Sequence, residues 1–180
     1  MHRLFVALSI PEPIAEALAT LQNGVEGARW RPAENFHLTL AFIGETDRHG
    51  FNGAIDALTA IEAPTFDIKI SGLGFFGDRR PRALWAGVNN APSLIHLQSK
   101  IENALRRKDF DLERRKFTPH VTLAYLKDAR RNDVADYCAV NSLFSTDLFR
   151  VGEFHLFSSR LGGEASHYEI EASYSLSSSR

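Results

Sequence analysis

Two histidines in this 180-residue chain each stand two places ahead of a threonine, inside nearly the same phrase. "FHLTLAFIGE" occupies residues 36–45 and "PHVTLAYLKD" occupies residues 119–128. His37 matches His120, Thr39 matches Thr122, Leu40 matches Leu123 and Ala41 matches Ala124, always 83 residues apart. An imidazole with an ordinary pKa of about 6.5 is neutral or protonated near neutrality, so a facing pair can supply one general base and one general acid. Threonine hydroxyls can donate hydrogen bonds to non-bridging phosphoryl oxygens, where transition-state charge gathers. No Asp or Glu lies within either His-x-Thr, and each copy offers only one good metal ligand. The natural chemistry of such a pair is a phosphoester reaction without metal or other cofactor.

A single His-x-Thr would carry no weight. With seven His and eight Thr in the chain, about 0.3 copies arise by chance. Two copies in matching apolar frames are different, because packing alone needs the leucines but has no use for His and Thr at both strand centres. The remaining histidines (His2, His49, His96, His155 and His167) have no matching partner motif, and none is assigned a catalytic role. His155 and His167 fall on late strands that could border a cleft, but neither is assigned to it.

The elements that must position the pair are legible in outline. Alternation makes 36–43 and 120–126 strands, with His37 and Thr39 on one face and Leu38 and Leu40 on the other. Further strands are expected at 3–10, 65–76, 83–88, 153–161 and 167–176, and helices at 11–25, 47–61 and 91–108. Asn23-Gly24 marks the end of the first helix. The offset repeat and the absence of a linker-like stretch give one two-lobed catalytic domain over 1–180. The "SLSSSR" tail is expected to fray.

Composition excludes several classes. A hydrophobic fraction of 44% and a charged fraction of 24% are those of a soluble globular protein. One cysteine, Cys138, allows no internal disulfide. The apolar run from Leu4 to Ile10 is too short for a signal peptide or a membrane span. A cytoplasmic protein with no membrane partner is the expectation. The net charge of −1 hides a basic segment, 79–131, with 13 Lys/Arg against 5 Asp/Glu. Its clusters at 79–82, 106–108, 114–116 and 127–131 would attract a polyanion if they share a surface.

With these flanks the paired motifs resemble the two-histidine (2H) phosphoesterase superfamily. The branch they are most similar to is the bacterial and archaeal RNA 2′,3′-cyclic phosphodiesterases, the LigT-like 2′-5′ RNA ligases. The resemblance runs through "RLFVAL", "RWRPAENFHLTLAFIGE", "GLGFFGDRRPRALWAGV", "FTPHVTLAYL" and "HLFSSRL…HYEI". It implies an α+β, bilobal fold of two pseudo-symmetric lobes, each a mainly antiparallel sheet with flanking helices, around a central cleft. It implies metal-independent hydrolysis of RNA 2′,3′-cyclic phosphate ends to 2′-phosphates, with reversible 2′-5′ ligation of tRNA halves in some members. His37 then resembles the proton donor to the departing 3′-oxygen, His120 the acceptor that activates water, and Thr39 and Thr122 the phosphate-binding threonines. The expected partner is RNA with cyclic phosphate ends, and the expected state is a monomer.

One position departs from the family. Five residues after the second histidine, where members often carry arginine, this chain has Tyr125, which lacks a guanidinium's charge and fork. Tyr125 remains a candidate RNA contact through stacking or one hydrogen bond, and Arg82, Arg79 or Lys127 are the candidates to replace the charge. Yet strict alternation puts both Phe42 and Tyr125 out of phase with the histidines, unless the strands bulge. Phe75, Phe76 and Trp85 are read as core aromatics. Rival functions are a phosphodiesterase for 2′-5′ oligonucleotides or small cyclic nucleotide phosphates, and a non-catalytic RNA-end-binding module. A nucleotide-cofactor enzyme lacks its glycine-rich loop here.

Overall fold

The computed structural model describes residues 2–89, 91–162 and 165–177. The chain opens with strand β1 (His2–Ser9), helix α1 (Glu12–Ala19), strand β2 (Ala28–Trp30) and a 3-10 turn (Ala33–Asn35). The first motif strand, β3 (His37–Thr46), precedes α2 (Arg48–Thr59), β4 (Phe66–Ile68), β5 (Leu73–Phe76) and β6 (Ala83–Gly87). Then come α3 (Pro92–Arg106), the second motif strand β7 (His120–Leu126) and α4 (Arg131–Val140). Strands β8 (Phe149–Val151), β9 (Glu153–Gly162) and β10 (Ala165–Ser175) complete it.

Eight strands form one sheet in the order β10-β9-β1-β3-β7-β6-β5, with β2 on β7. All its pairings are antiparallel. The two motif strands meet at its centre through one residue pair, Leu38 with Val121. The sheet is therefore two antiparallel halves hinged on β3 and β7. The halves are not the two halves of the sequence, because β1, β3, β9 and β10 build one lobe from both ends of the chain.

The apolar face behaves as alternation requires. Leu38, Leu40, Val121 and Leu123 are all buried in one cluster with Leu94, Leu97 and Ile101 of α3. Those three residues and Leu105 form one helical stripe, and Pro92 sits at the helix start, where its missing N–H costs nothing. Each such leucine contributes about 2 kcal/mol by leaving water, and truncation to alanine would cost about 2–5 kcal/mol.

Three expectations are corrected. The strand over 65–76 is two strands in different sheets, since β4 pairs only with β8. Between them the backbone turns away: Thr146 Oγ1 accepts the Ile70 N–H, the Thr146 N–H donates to Ile70 O, and Gly72 takes φ +73. Helix α1 stops at Ala19 because Thr20, Leu21 and Gln22 tighten to i→i+3 bonds, and Gly24 reverses the chain at φ +75. Helix α3 ends at Arg106. Helix α4 and strands β2 and β8 have no strong pattern; α4 fully buries only Val134, with Tyr137 and Cys138 half-buried beside it. Residues 178–180 of the serine-rich tail lie outside the described residues.

Candidate active site

Antiparallel register around the Leu38–Val121 pair sets His37 beside Thr122 and Thr39 beside His120. All four side chains lie on the face opposite the core, so each histidine faces the other copy's threonine. The Nδ1–H of His37 donates to the carbonyl of Asn35 at 2.8 Å, and that of His120 to the carbonyl of Thr118 at 2.6 Å. A carbonyl only accepts, so both Nδ1 atoms carry hydrogen and both Nε2 atoms are left for proton transfer. The carbonyl comes from two residues upstream in each copy.

Apolar rings enclose both imidazoles. His37 lies 5.0 Å from Phe5 and 5.1 Å from Tyr168, which meets it edge-on. His120 lies 4.9 Å from Phe76, also edge-on, and 5.9 Å from Trp85. Gly74 lets Trp85 lie against the backbone of β5, since a Cβ there would be 2.4 Å from the indole. Burial pushes the His37 pKa down to about 4; the Asn35 carbonyl works against this, while Arg31 and His120 add to it. Burial likewise lowers His120, with Arg115 adding to it and the Thr118 carbonyl opposing.

Besides a cavity of about 600 Å³ that reaches His37 from Ser9, Phe36 and Ile170, two cavities flank the four side chains. One, of about 240 Å³, is walled by Arg3, Arg31, His37, Thr122, Tyr125 and Tyr168 among others. The other, of about 130 Å³, reaches His120 past Phe76, Phe117, Arg115 and Lys116. Thr39 and Phe42 border both. Of the basic clusters, the one at 114–116 reaches a cavity wall, whereas Arg106 is held by Glu102 at 2.6 Å and Arg131 donates to the Asp78 carbonyl.

Phe42 and Tyr125 are therefore on the same side as the His-Thr residues, against strict alternation. Opposite β1, Val6 pairs with Ala41 and Ala7 with Thr39, so Leu40 is an extra residue. Opposite β6, Leu84 pairs with Ala124 and Trp85 with Thr122, so Leu123 is extra. Each bulge flips the phase of the strand beyond it, and the two stand at the same place in the repeat. Their carbonyls find partners outside the ladder: Gln98 donates to Leu40 O and the Arg31 N–H to Leu123 O.

The charge next to Tyr125 comes from Arg31, whose guanidinium lies 5.4 Å over that ring. Arg82 is exposed, closes the β5–β6 turn through its backbone, and lines neither cavity. Arg79 and Lys127 line neither cavity. Trp85 and Phe76 buttress His120 rather than filling a distant core. His155 is buried on β9 and bonded to Ser173 Oγ at 2.8 Å, away from both cavities. Sequence reasoning missed Arg3, Arg31 and Tyr168; the aromatic-and-basic "RWRP" just before the first motif was the available signal. Among the described residues no three His, Cys, Asp or Glu cluster as a metal site.

The profile of the 2′-5′ RNA ligase superfamily matches residues 10–163. An RNA 2′,3′-cyclic phosphodiesterase of Thermotoga maritima is 33% identical over 132 residues, 69% of this chain and 70% of that one. One from Archaeoglobus fulgidus is 30% identical over 159 residues, 86% of this chain and 89% of the relative. The crystal structure of E. coli LigT in apo form superposes with a TM-score of 0.80 at 25% identity, over 98% of each chain. Sequence profile, relatives and bilobal fold agree, and the chain belongs to the 2′-5′ RNA ligase superfamily, in its family of RNA 2′,3′-cyclic phosphodiesterases.

Proposed function

We propose that this chain hydrolyses 2′,3′-cyclic phosphate ends of RNA to 2′-phosphates, with His37 and His120 as the acid–base pair and no metal taking part. The observation that carries it is the crossed arrangement of His37 with Thr122 and Thr39 with His120, each imidazole fixed through Nδ1. A phosphate seated among them meets two hydroxyl donors and two Nε2 atoms on opposite flanks. Neutral His120 takes a proton from water as its oxygen bonds to phosphorus. The P–O3′ bond breaks, and protonated His37 gives its Nε2 proton to the departing O3′. One water is consumed, leaving a 2′-phosphate and a free 3′-hydroxyl.

Burial favours the neutral form of both histidines before substrate binds. The anionic phosphate itself offsets that burial and favours the imidazolium that donation requires. A 5′-hydroxyl in place of water would give 2′-5′ ligation by the same proton transfers, with tRNA halves as candidate substrates. The same reading takes the enzyme as a cytoplasmic monomer; no described helix is long and apolar enough to cross a membrane.

Mass analysis of products from an oligonucleotide ending in a 2′,3′-cyclic phosphate tests this directly. The expected result is a gain of one water and co-migration with the 2′-phosphate standard, unaffected by chelator. A 3′-phosphate product, or no product while RNA binds, overturns it; the latter outcome leaves an RNA-end-binding module.

A further inference from the structure

We infer that Arg31 and Arg3 form a second anion subsite, which takes the phosphodiester one nucleotide upstream of the cyclic phosphate. This rests on the hydrolytic reading above and specifies how the RNA chain leaves the reacting end.

Arg31 is held like a preformed ligand. Its guanidinium lies between two aromatic faces, 5.4 Å from the Tyr125 centroid and 5.3 Å from that of Tyr168. Nη2 donates to the Tyr168 hydroxyl at 2.6 Å. The backbone is pinned on both sides: the Arg31 N–H donates to Leu123 O at 2.8 Å, and Gln22 Nε2 donates to Arg31 O at 2.6 Å. Holding an arginine in advance removes much of the entropy cost of binding an anion.

Across the cavity the twin motif repeats the device. Phe42, the partner of Tyr125 in the repeat, carries the Arg3 guanidinium 5.6 Å over its ring. The described residues that wall this cavity include two arginines and no carboxylate. Two cations facing one space without a counter-ion raise its affinity for an anion. A guanidinium has five N–H donors in a planar fork, and the bond from Arg31 to Tyr168 uses one. The fork suits a phosphodiester's two non-bridging oxygens.

The position separates this subsite from the reacting phosphate. The Tyr168 ring touches both partners, with its centroid 5.1 Å from His37 and 5.3 Å from the Arg31 guanidinium. Arg31 thus stands one ring beyond the imidazole, where a neighbouring phosphate of the same strand would lie.

The test compares a nucleoside 2′,3′-cyclic phosphate, which has one phosphate, with a dinucleotide ending in the cyclic phosphate, which has two. Arg31→Ala is expected to raise KM for the dinucleotide about tenfold, the scale of a lost charge-assisted hydrogen bond. That loss should exceed the loss on the mononucleoside at least fivefold. The slope of log KM against log salt for the dinucleotide should fall by about 0.7, one phosphate contact on a single strand. Arg31→Lys should recover only part, having charge without the fork. If Arg31→Ala melts below assay temperature, Arg31→Gln, which keeps a donor for Tyr168, is read in the same way. Equal losses on both substrates, or none on either, overturn the subsite while wild-type turnover leaves the hydrolytic reading standing. Absence of wild-type turnover on both substrates sinks the hydrolytic reading and takes the subsite with it.

Discussion

The two motif strands have the same His, Thr, Leu and Ala, the same bulge and the same Nδ1 anchor, yet their surroundings differ. His37 lies among Phe5, Phe157 and Tyr168, with Arg31 bearing on its charge. His120 leans on Phe76 and Trp85 and borders a more apolar cavity with Arg115 and Lys116 at its rim. The repeat fixes where the reactive nitrogens are. The neighbours, which differ, set how easily each is charged, so one duplicated motif gives two unlike imidazoles.

The largest break of that comparison is removal of either imidazole. His37→Ala and His120→Ala should each lower kcat by about 10²–10⁴-fold, measured on a cyclic-phosphate oligonucleotide. A tenfold larger effect at one site than at the other would show that the surroundings outweigh the symmetry.

The lowered His37 pKa also predicts acid lability. The folded value is about 4 and the unfolded value about 6.5, so the unfolded chain binds more protons between them. Stability from keeping His37 neutral is therefore complete above pH 6.5 and lost as pH falls toward 4, by roughly 3 kcal/mol. Denaturant midpoints across that range should fall more steeply for wild type than for His37→Ala. Because both pKa values lie below 6.5 in the free enzyme, kcat/KM should peak on the acid side of pH 6.5, whichever histidine is the acid.

Thr39→Val and Thr122→Val should each cost about 10–100-fold in kcat/KM, the range for a hydrogen bond to a charged group. Equal losses sharpen the symmetry; unequal ones show which oxygen gathers the charge. The smallest effect is expected on the His120 side alone. Gly74→Ala displaces Trp85, against whose ring the new methyl would press. It should cost about 1–3 kcal/mol of stability by overpacking, read by thermal melting, with little change in the His37 pKa.

Much of the fold and the site was legible in the residues. The β3 and β7 strands, helix α3 and the His-Thr face reflect periods of 2 and 3.6, which are local properties. The out-of-phase assignment of Phe42 and Tyr125 failed because a bulge is decided by the partner strand, and nothing in "HLTLAF" marks Leu40 as extra. The break at 69–72 was hidden for a similar reason: the bonds that turn the chain there come from Phe144 and Thr146.

By itself, the sequence determined the duplicated His-Thr pattern, the strands that carry it and the apolar face that buries their leucines, because side-chain alternation needs no partner. Tertiary structure alone decided that the lobes interleave the chain ends, and that both bulges turn an aromatic ring into the cleft. It also decided that Arg31 meets Tyr168, 137 residues away. Those outcomes depend on pairing register and long-range packing, and no local period carries them.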